Sequence, residues 1–588
     1  MKKRSKVLAA LLSFVTAASL LSACGGSTAT TSTATASTAA STATASAAST
    51  VSKATGSTAS TAATTTSSGK TLTVELGPDP ETVDPALNSS VDGGNYITFC
   101  FDNLLSIDKD NKVIGACAEK WETSTDGLTW TFHLRDGLKW SDGSDLTAND
   151  FVYSWQRVAN PDTAAPYGET VLGMLAGYKD AIGNPDADGN TTTTPDPTKL
   201  GVKATDDKTL VVTLSAPCAY FDKLAAFATL MPVKQDVVDK DPDGWSVNPK
   251  EYITNGAFTI SEWVPGSYIL FKKNPNYWNA SAIKLDTIKC LLMEDQNAAY
   301  SAYQSGEALM IKDVPTNEID TLKTQSDFHI DPDLGTYYIS LNDQKDMFKD
   351  PKVRQALSLA LDRKYISETI TKGTYTAAGN FVGTGVSDWD GSAFMDNANG
   401  GKPYIDTDDF QGNLAKAKQL MSDAGYPDGQ GFPTITYSTN DAGYHKAIAE
   451  YLQQAWKELG ITVNVDVVEW KSFTPQRRAG DYEVARNGWL LDYNDASNIL
   501  DLMYSTNGNN DSKYNSTDYD ALMDKARSEA DAKTRSGYLH QAEDEMMTNA
   551  ACIPLLYYND FYLQSAKVTG SWHSPYGFWM FQYADVTE

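Results

Sequence analysis

Histidine and cysteine are scarce in this chain, five and six residues respectively out of 588. The histidines, His133, His329, His445, His540 and His573, are scattered and form no H-E-x-x-H pair. The cysteines, Cys24, Cys100, Cys117, Cys218, Cys290 and Cys552, form neither a C-x-x-C motif nor a zinc-like spacing. A metal held by side chains needs three or four such donors at one point, so there is no local metal signal and no cofactor is expected. A glycine-rich phosphate loop and a G-x-S-x-G elbow are missing too, which removes the local signatures of nucleotide binding and of hydrolase nucleophiles. Cations are outnumbered, 48 Lys and Arg against 75 Asp and Glu, for a formal net charge of −27. So acidic a body repels phosphates and anionic headgroups; this argues against nucleic acid as a partner and keeps the protein soluble.

Long apolar runs are missing from all but the start. Met1-Lys2-Lys3-Arg4-Ser5-Lys6 is a basic cluster, and Val7 to Leu21 is Val, Leu, Ala and Phe with a few hydroxyls. A basic head on an apolar run too short for a permanent span is the pattern of an export signal. Leu21-Ser22-Ala23-Cys24, directly after it, resembles the lipobox of bacterial lipoproteins. That resemblance implies a signal peptide over residues 1–23 and lipidation of Cys24. One acyl chain holds weakly, at about 0.8 kcal/mol per buried CH₂, so stable anchoring takes the two or three chains of a lipoprotein. From Gly25 to Lys70 the chain is almost all Ser, Thr and Ala. Without large apolar side chains it cannot offset its ordering entropy, so residues 24–70 read as a lipidated cysteine and a flexible tether. Apart from Cys24 five cysteines remain, an odd set that suggests buried thiols with at most two disulfides and leaves their pairing open.

The chain as a whole is 41% hydrophobic and 21% charged, a globular composition, and the part beyond the tether is too long for one core. Leu128 to Leu134 and Thr209 to Leu214 alternate like half-buried strands. Asp150 to Val158 and Asn413 to Ala424 carry helical spacing, and Gly425 followed by Pro427 ends the second. Tyr444 to Leu459 is an amphipathic helix stopped by Gly460, leading into a strand at Ile461 to Val467. The mixture predicts α/β lobes. Asn184-Pro185-Asp186-Ala187-Asp188-Gly189-Asn190 spaces its oxygens like a calcium loop, but the twelfth position is Pro195, so it reads as an ordinary turn. The 13 Trp, 30 Tyr and 19 Phe are expected mostly in the core.

Several stretches, in order, resemble one family, the oligopeptide- and dipeptide-binding branch of bacterial extracellular solute-binding proteins. They are Asp126 to Gly143 (DGLTWTFHLRDGLKWSDG), Leu146 to Trp155, Asn255-Gly256-Ala257-Phe258, Lys273 to Trp278, Val353-Arg354-Gln355-Ala356-Leu357, Leu361-Asp362-Arg363 and Tyr482 to Asn494. The resemblance implies a two-lobed, periplasmic-binding-protein-like α/β fold with an extra inserted domain and a ligand cleft between the lobes. Lobe I would comprise 71–104, 227–330 and 556–588, the inserted domain 105–226, and lobe II 331–555. His329 to Leu334 and Leu555 to Asn559 would cross between lobes as the hinge.

The implied function is capture of peptides outside the cell and delivery to the transmembrane subunits of an ABC importer, by a monomer that is not an enzyme. The implied place is the outer face of the cell membrane. By likeness, Asp492 pairs with the ligand's α-ammonium. Arg486, Arg477 and His445 accept its C-terminal carboxylate, while Tyr167, Trp489 and Asn255 line the cleft. A carboxylate in a closed cleft is favourable only when a cation arrives, so it selects a free amino terminus. The same fold binding an oligosaccharide, nickel chelate or opine is the alternative. Some relatives carry a cysteine pair near the cleft where this chain has Gly335 and Leu490, and Gly379 to Gly401 follows no pattern of the family.

Replacing Cys24 with Ala is expected to remove the lipid and release the folded domain into the medium with ligand affinity unchanged. Retention of the variant in the membrane fraction after a high-salt wash would assign the anchor to another segment.

Overall fold

The computed structural model describes residues 69–184, 191–312, 314–440 and 443–587. The export signal, Cys24 and the tether as far as residue 68 lie outside the described residues, as do residues 185–190 of the Asn184–Asn190 loop. Among the described residues no helix is long and apolar enough to cross a membrane. The five described cysteines are buried and unbridged.

The alternating segments form strands. Thr129–Leu134 turns Trp130, Phe132 and Leu134 inward and pairs with Ala118–Thr123 and Thr209–Thr213 in a four-stranded antiparallel sheet completed by Val202–Asp206. Helix Ala148–Ala159 packs on this sheet. It starts where the Asp150 carboxylate accepts the Thr147 N–H at 2.7 Å, and its helical spacing buries Phe151, Trp155 and Val158 on one face. The buried Trp155 donates from Nε1 to the Leu230 carbonyl at 2.9 Å, so its one polar atom is satisfied.

The second sheet has eleven strands. From one edge they run Val463–Val467, Ile435–Thr439, Val484–Leu490, Phe328–Leu341, Cys552–Gln564, Met310–Ile311, Thr71–Glu75, Thr287–Leu291, Tyr268–Lys273 and Phe258–Val264, with Thr376–Ala377 added to Cys552–Gln564 off this path. Phe328–Leu341 and Cys552–Gln564 are the long ones, and their antiparallel pairing slips between Pro332 and Thr336. Helix His445–Lys457 stops before Gly460, at φ +76°, where an added Cβ would lie 2.0 Å from the Asp428 carbonyl oxygen. Only glycine fits that approach, and the chain turns there into strand Val463–Val467.

Two arginines of the family-like motifs are structural. Arg354, on helix Pro351–Leu359, donates to the Asn549 and Ala550 carbonyls at 2.7 and 3.2 Å and to the Asp343 carboxylate at 2.9 Å. Arg363 is buried and donates to the Pro554 and Ser358 carbonyls, each at 2.9 Å, and to the Ser358 hydroxyl. Burial alone pushes its guanidinium down to about 10. Both fasten helical elements to the strand Cys552–Gln564 or the turn before it.

The Gly379–Gly401 stretch threads between that strand and helix Ala532–Thr548. Ala378 N–H donates to the Leu555 carbonyl, and Phe381 and Val382 are buried with their N–H groups on one carboxylate oxygen of Glu543, at 3.0 and 2.7 Å. Burial pushes Glu543 up to about 8, against the two backbone bonds that hold it down. The folded chain thus binds one proton more than the unfolded chain between about pH 4.5 and 8, and stability falls as pH rises through that window. Glu543→Gln keeps an acceptor for the two N–H groups and cannot ionise. Its unfolding free energy is expected to vary less from pH 5 to pH 8 and to exceed the parent's at pH 8 by roughly 2–4 kcal/mol. Parallel pH curves for parent and variant would mean that Glu543 is already ionised in the fold.

Candidate functional site

The site grows from the end of strand Val484–Leu490. One of its edges pairs with Gly335–Leu341; on the other, Ile435–Thr439 reaches only Val484 and Ala485. Among the described residues no strand covers Arg486–Leu490 on that side. After Leu490 the chain turns through Asp492-Tyr493-Asn494-Asp495 into helix Ala496–Leu500, which Asp495 caps by accepting the Ser497 N–H at 3.0 Å. Asn498, one turn into the helix, reaches back. Its oxygen accepts the Asp492 N–H at 3.1 Å and Trp489 Nε1–H at 2.9 Å, and its amide donates to Asp492 Oδ2 at 3.1 Å. Tyr167 donates its hydroxyl to Asp492 Oδ1 at 3.0 Å.

Asp492 is therefore a carboxylate with two neutral donors and, among the described residues, no ion pair. Burial pushes it up to about 6, and the donors from Asn498 and Tyr167 limit the rise. It lines two cavities. One, about 70 Å³, is walled by Phe101, Asp102, Phe227 and Tyr576. The other, about 520 Å³, lies between Met174, Pro217 and Tyr220 on one side and Trp489, Tyr504 and Arg527 on the other. A half-satisfied carboxylate at the wall of a cavity stabilises an arriving ammonium more than any neutral group.

Arg486 and His445 are brought together six residues up the strand from Asp492. Arg486 Nη2 donates to the Tyr558 hydroxyl at 3.3 Å, and the guanidinium lies 5.4 Å from the centre of the Tyr337 ring. The His445 ring stands 5.5 Å from Tyr337. Burial first, and the Arg486 charge second, push His445 down to about 2, so it is a neutral imidazole. Arg477 is placed elsewhere: it is buried, donates from Nε to Asp511 at 2.8 Å and from Nη1 to the Arg486 carbonyl at 3.1 Å. That contact takes up the Arg486 carbonyl at the start of the edge that no strand covers. Asn255 is buried too, exchanging hydrogen bonds of 3.0 and 2.8 Å with the Asp102 backbone. It shapes the segment carrying Asp102, which lines the small cavity. Gly335 and Leu490 are opposite one another in the sheet, and a Cβ at Gly335 would lie 2.6 Å from Leu490 Cδ2. A leucine side chain lies over a glycine where a disulfide could have stood.

Sequence reasoning missed Asn498, Tyr220, Tyr493, Lys223 and Arg535. Asn498 had a signal: Asp495-Ala496-Ser497-Asn498 reads as a helix start, and an amide in the first turn faces the preceding turn. Tyr220, Tyr493 and Lys223 gain their role from contacts across more than 250 residues of chain, and Arg535 from an ion pair 40 residues away, which no local pattern carries.

The model of the bacterial extracellular solute-binding proteins, family 5, matches residues 112–511. The periplasmic oligopeptide-binding protein OppA of Salmonella typhimurium is 34% identical over 496 residues, 83% of this chain and 87% of that protein. The probable deoxycholate-binding periplasmic protein YgiS of Escherichia coli is 34% identical over 482 residues, 82% of this chain and 86% of that protein. The structure of Haemophilus influenzae OppA in complex with RPPGFSPFR matches with a TM-score of 0.76 at 29% identity, covering 89% of this chain and 99% of that one. The fold is the mixed α/β, two-lobed one of periplasmic peptide-binding proteins.

Tyr167→Phe removes one of the two donors to Asp492 and is expected to raise the carboxyl's titration midpoint above about 6. Carbon NMR of labelled aspartate, with Asp492→Asn to assign the signal, reads it directly. An unmoved midpoint would show that the hydroxyl does not hold the carboxylate.

Proposed function

The chain belongs to the bacterial extracellular solute-binding proteins of family 5, and from that membership we propose that it captures peptides by their free amino terminus and hands them to an ABC importer. The observation that carries the proposal is Asp492, a buried carboxylate with two neutral donors at the end of an uncovered strand edge. An extended peptide laid along Asn487–Leu490, past the Arg486 carbonyl that Arg477 holds, meets main-chain groups and this carboxylate at its amino end. Its side chains then turn into the flanking cavities, where water mediates contacts. Six residues of strand, about 20 Å at roughly 3.3 Å per residue, separate Asp492 from Arg486. Arg486 with the neutral His445 is our choice for the carboxylate end, with Trp489 and Tyr167 as walls. Arg477 and Asn255 act behind them as supports.

The division into lobe I (71–104, 227–330, 556–588), inserted domain (105–226) and lobe II (331–555) is part of the proposal. The four-stranded sheet, Ala118 to Thr213, falls wholly within 105–226, which supports it. So is the anchor: a cleaved signal over 1–23, lipid on Cys24, and a tether that holds the domain clear of the outer face of the membrane. The family is one of transport proteins rather than enzymes, and we read this chain as a monomeric receptor that releases its ligand unchanged.

N-acetylating a bound peptide would leave Asp492 unpaired and is expected to cost about 2–5 kcal/mol, a loss of roughly thirty- to several-thousand-fold. Asp492→Ala should weaken free peptides comparably and distinguish little between free and acetylated forms. Calorimetry on an alanine series from dipeptide to hexapeptide, with mass spectrometry of the recovered solutions, gives all four affinities and shows whether any peptide is cut. Near-equal binding of free and acetylated peptides to the unmodified protein would make Asp492 structural and move the ligand class toward an oligosaccharide, nickel chelate or opine.

A further inference from the structure

The turn that presents Asp492 is also the place where two parts of the chain far apart in sequence hold each other. Four consecutive residues each take part. Asp492 accepts the Tyr167 hydroxyl at 3.0 Å. The Tyr493 ring stacks on Tyr220 with centres 4.7 Å apart and planes 7° from parallel. The Asn494 carbonyl accepts from Lys223 Nζ. Asp495 takes two hydrogen bonds of 2.8 Å from Arg535, whose guanidinium lies 5.2 Å from the centre of the Tyr220 ring. Tyr167, Tyr220 and Lys223 all come from the portion built on the four-stranded sheet. The turn and Arg535 come from the portion beyond residue 330.

The chemistry is layered. Arg535 and Asp495 are a forked ion pair, and this pair both fixes the helix start at Asp495 and offers a cationic face to Tyr220. The Tyr220 ring meets both that cation and the flat face of Tyr493, contacts that an aromatic side chain makes together. Lys223, three residues on from Tyr220 in helix Phe221–Leu224, sits on the same side of the chain and reaches the next carbonyl of the turn. Neither Tyr220 nor Lys223 accepts or donates to Asp492, so they act on the carboxylate through the turn.

We propose that Tyr220 and Lys223 form a latch across the cleft, positioning residues that fix the Asp492–Asp495 turn and couple closure of the two portions to occupation of the amino-terminal site. The coupling rests on the peptide-receptor reading, whereas the latch itself does not. Because the stack and the lysine contact lie on the turn, a ligand that fills the Asp492 site orders the surface the latch grips, and the gripped turn in turn holds the carboxylate on the ligand. Release then requires the Tyr220–Tyr493 stack to part, which places the effect on the dissociation rate. Selection for the free amino group stays with Asp492.

Hydrogen exchange of the ligand-free protein over residues 489–501 tests the latch, and stopped-flow release of the tightest-binding alanine peptide tests the coupling. Tyr220→Ala and Lys223→Met are expected to speed exchange in that segment about tenfold and peptide release at least about fivefold. Association should stay within about twofold and the preference for free over acetylated peptide should be unchanged. Tyr220→Phe keeps the ring and should behave as the parent, which a general loss of packing would not reproduce; Lys223→Met serves if Tyr220→Ala does not fold. Unchanged exchange in both variants overturns the latch, and faster exchange without faster release overturns the coupling. If no alanine peptide binds the unmodified protein, the receptor reading fails while the exchange comparison still decides the latch.

Discussion

The antiparallel pair of long strands, Phe328–Leu341 and Cys552–Gln564, is the constraint on which the rest hangs. Everything on one side of the large sheet is attached through Cys552–Gln564 and everything on the other through Phe328–Leu341. The pairing runs from Phe328 opposite Leu563 to Ser340 opposite Cys552, and breaks register between Pro332 and Thr336 and again between Tyr337 and Tyr338. Near the first break the strands carry like charges face to face, Asp331 opposite Asp560, an arrangement that weakens a sheet. His573 Nε2 lies 3.0 Å from the Asp560 carboxylate. Burial first, and the Asp560 and Asp331 charges second, push Asp333 well above the usual carboxylate range. The first of these breaks lies between the segments His329 to Leu334 and Leu555 to Asn559, where we place the hinge.

The site inherits its geometry from this pair at one remove. Gly335–Leu341 holds one edge of Val484–Leu490, and Arg477, bound to Asp511, takes the Arg486 carbonyl on the other. Beyond Arg486 no described strand pairs with that second edge. Asn494 ties the turn to the Gly379–Gly401 stretch, accepting the Ser387 N–H at 2.7 Å and donating to the Gly385 carbonyl at 3.1 Å. Glu543 pins that stretch in turn, so a carboxyl group deep in the helical layer bears on a turn at the cleft.

Much of the architecture was legible because it is local. The alternation Trp130, Phe132, Leu134 belongs to a strand with one buried face, and the spacing Phe151, Trp155, Val158 to a helix lying on it; both are decided within one element. Gly425 and Gly460 punctuate because positive φ favours the residue without a side chain. The ends of elements shifted by up to three residues, since a cap such as Asp409 competes with the hydrophobic pattern for where a helix starts. Asp492, Tyr167 and Trp489 were visible as motif members and meet in one hydrogen-bonded group. Arg477 and Asn255 were equally visible, and their buried partners, Asp511 and the Asp102 backbone, could not be: a motif shows which residue type stands at a position, and a contact over tens or hundreds of residues decides whether it faces a cavity or the core. Gly379–Gly401 was opaque because its bonds run to Glu543, Asn494 and Tyr557, each more than 100 residues away.

The uncovered edge of Arg486–Leu490 has a bearing on how the protein behaves in a crowd. An open β edge is an invitation to any other strand, and on an outer surface it templates association between copies. Here the edge belongs to a strand in the middle of its sheet, laid bare because Ile435–Thr439 stops after two residues, and it ends at the wall of a cavity lined from both sides. An edge flanked in this way is not offered to the sheet of a second copy, so on the peptide-receptor reading the recess that would take an extended ligand also guards the protein against pairing through that edge.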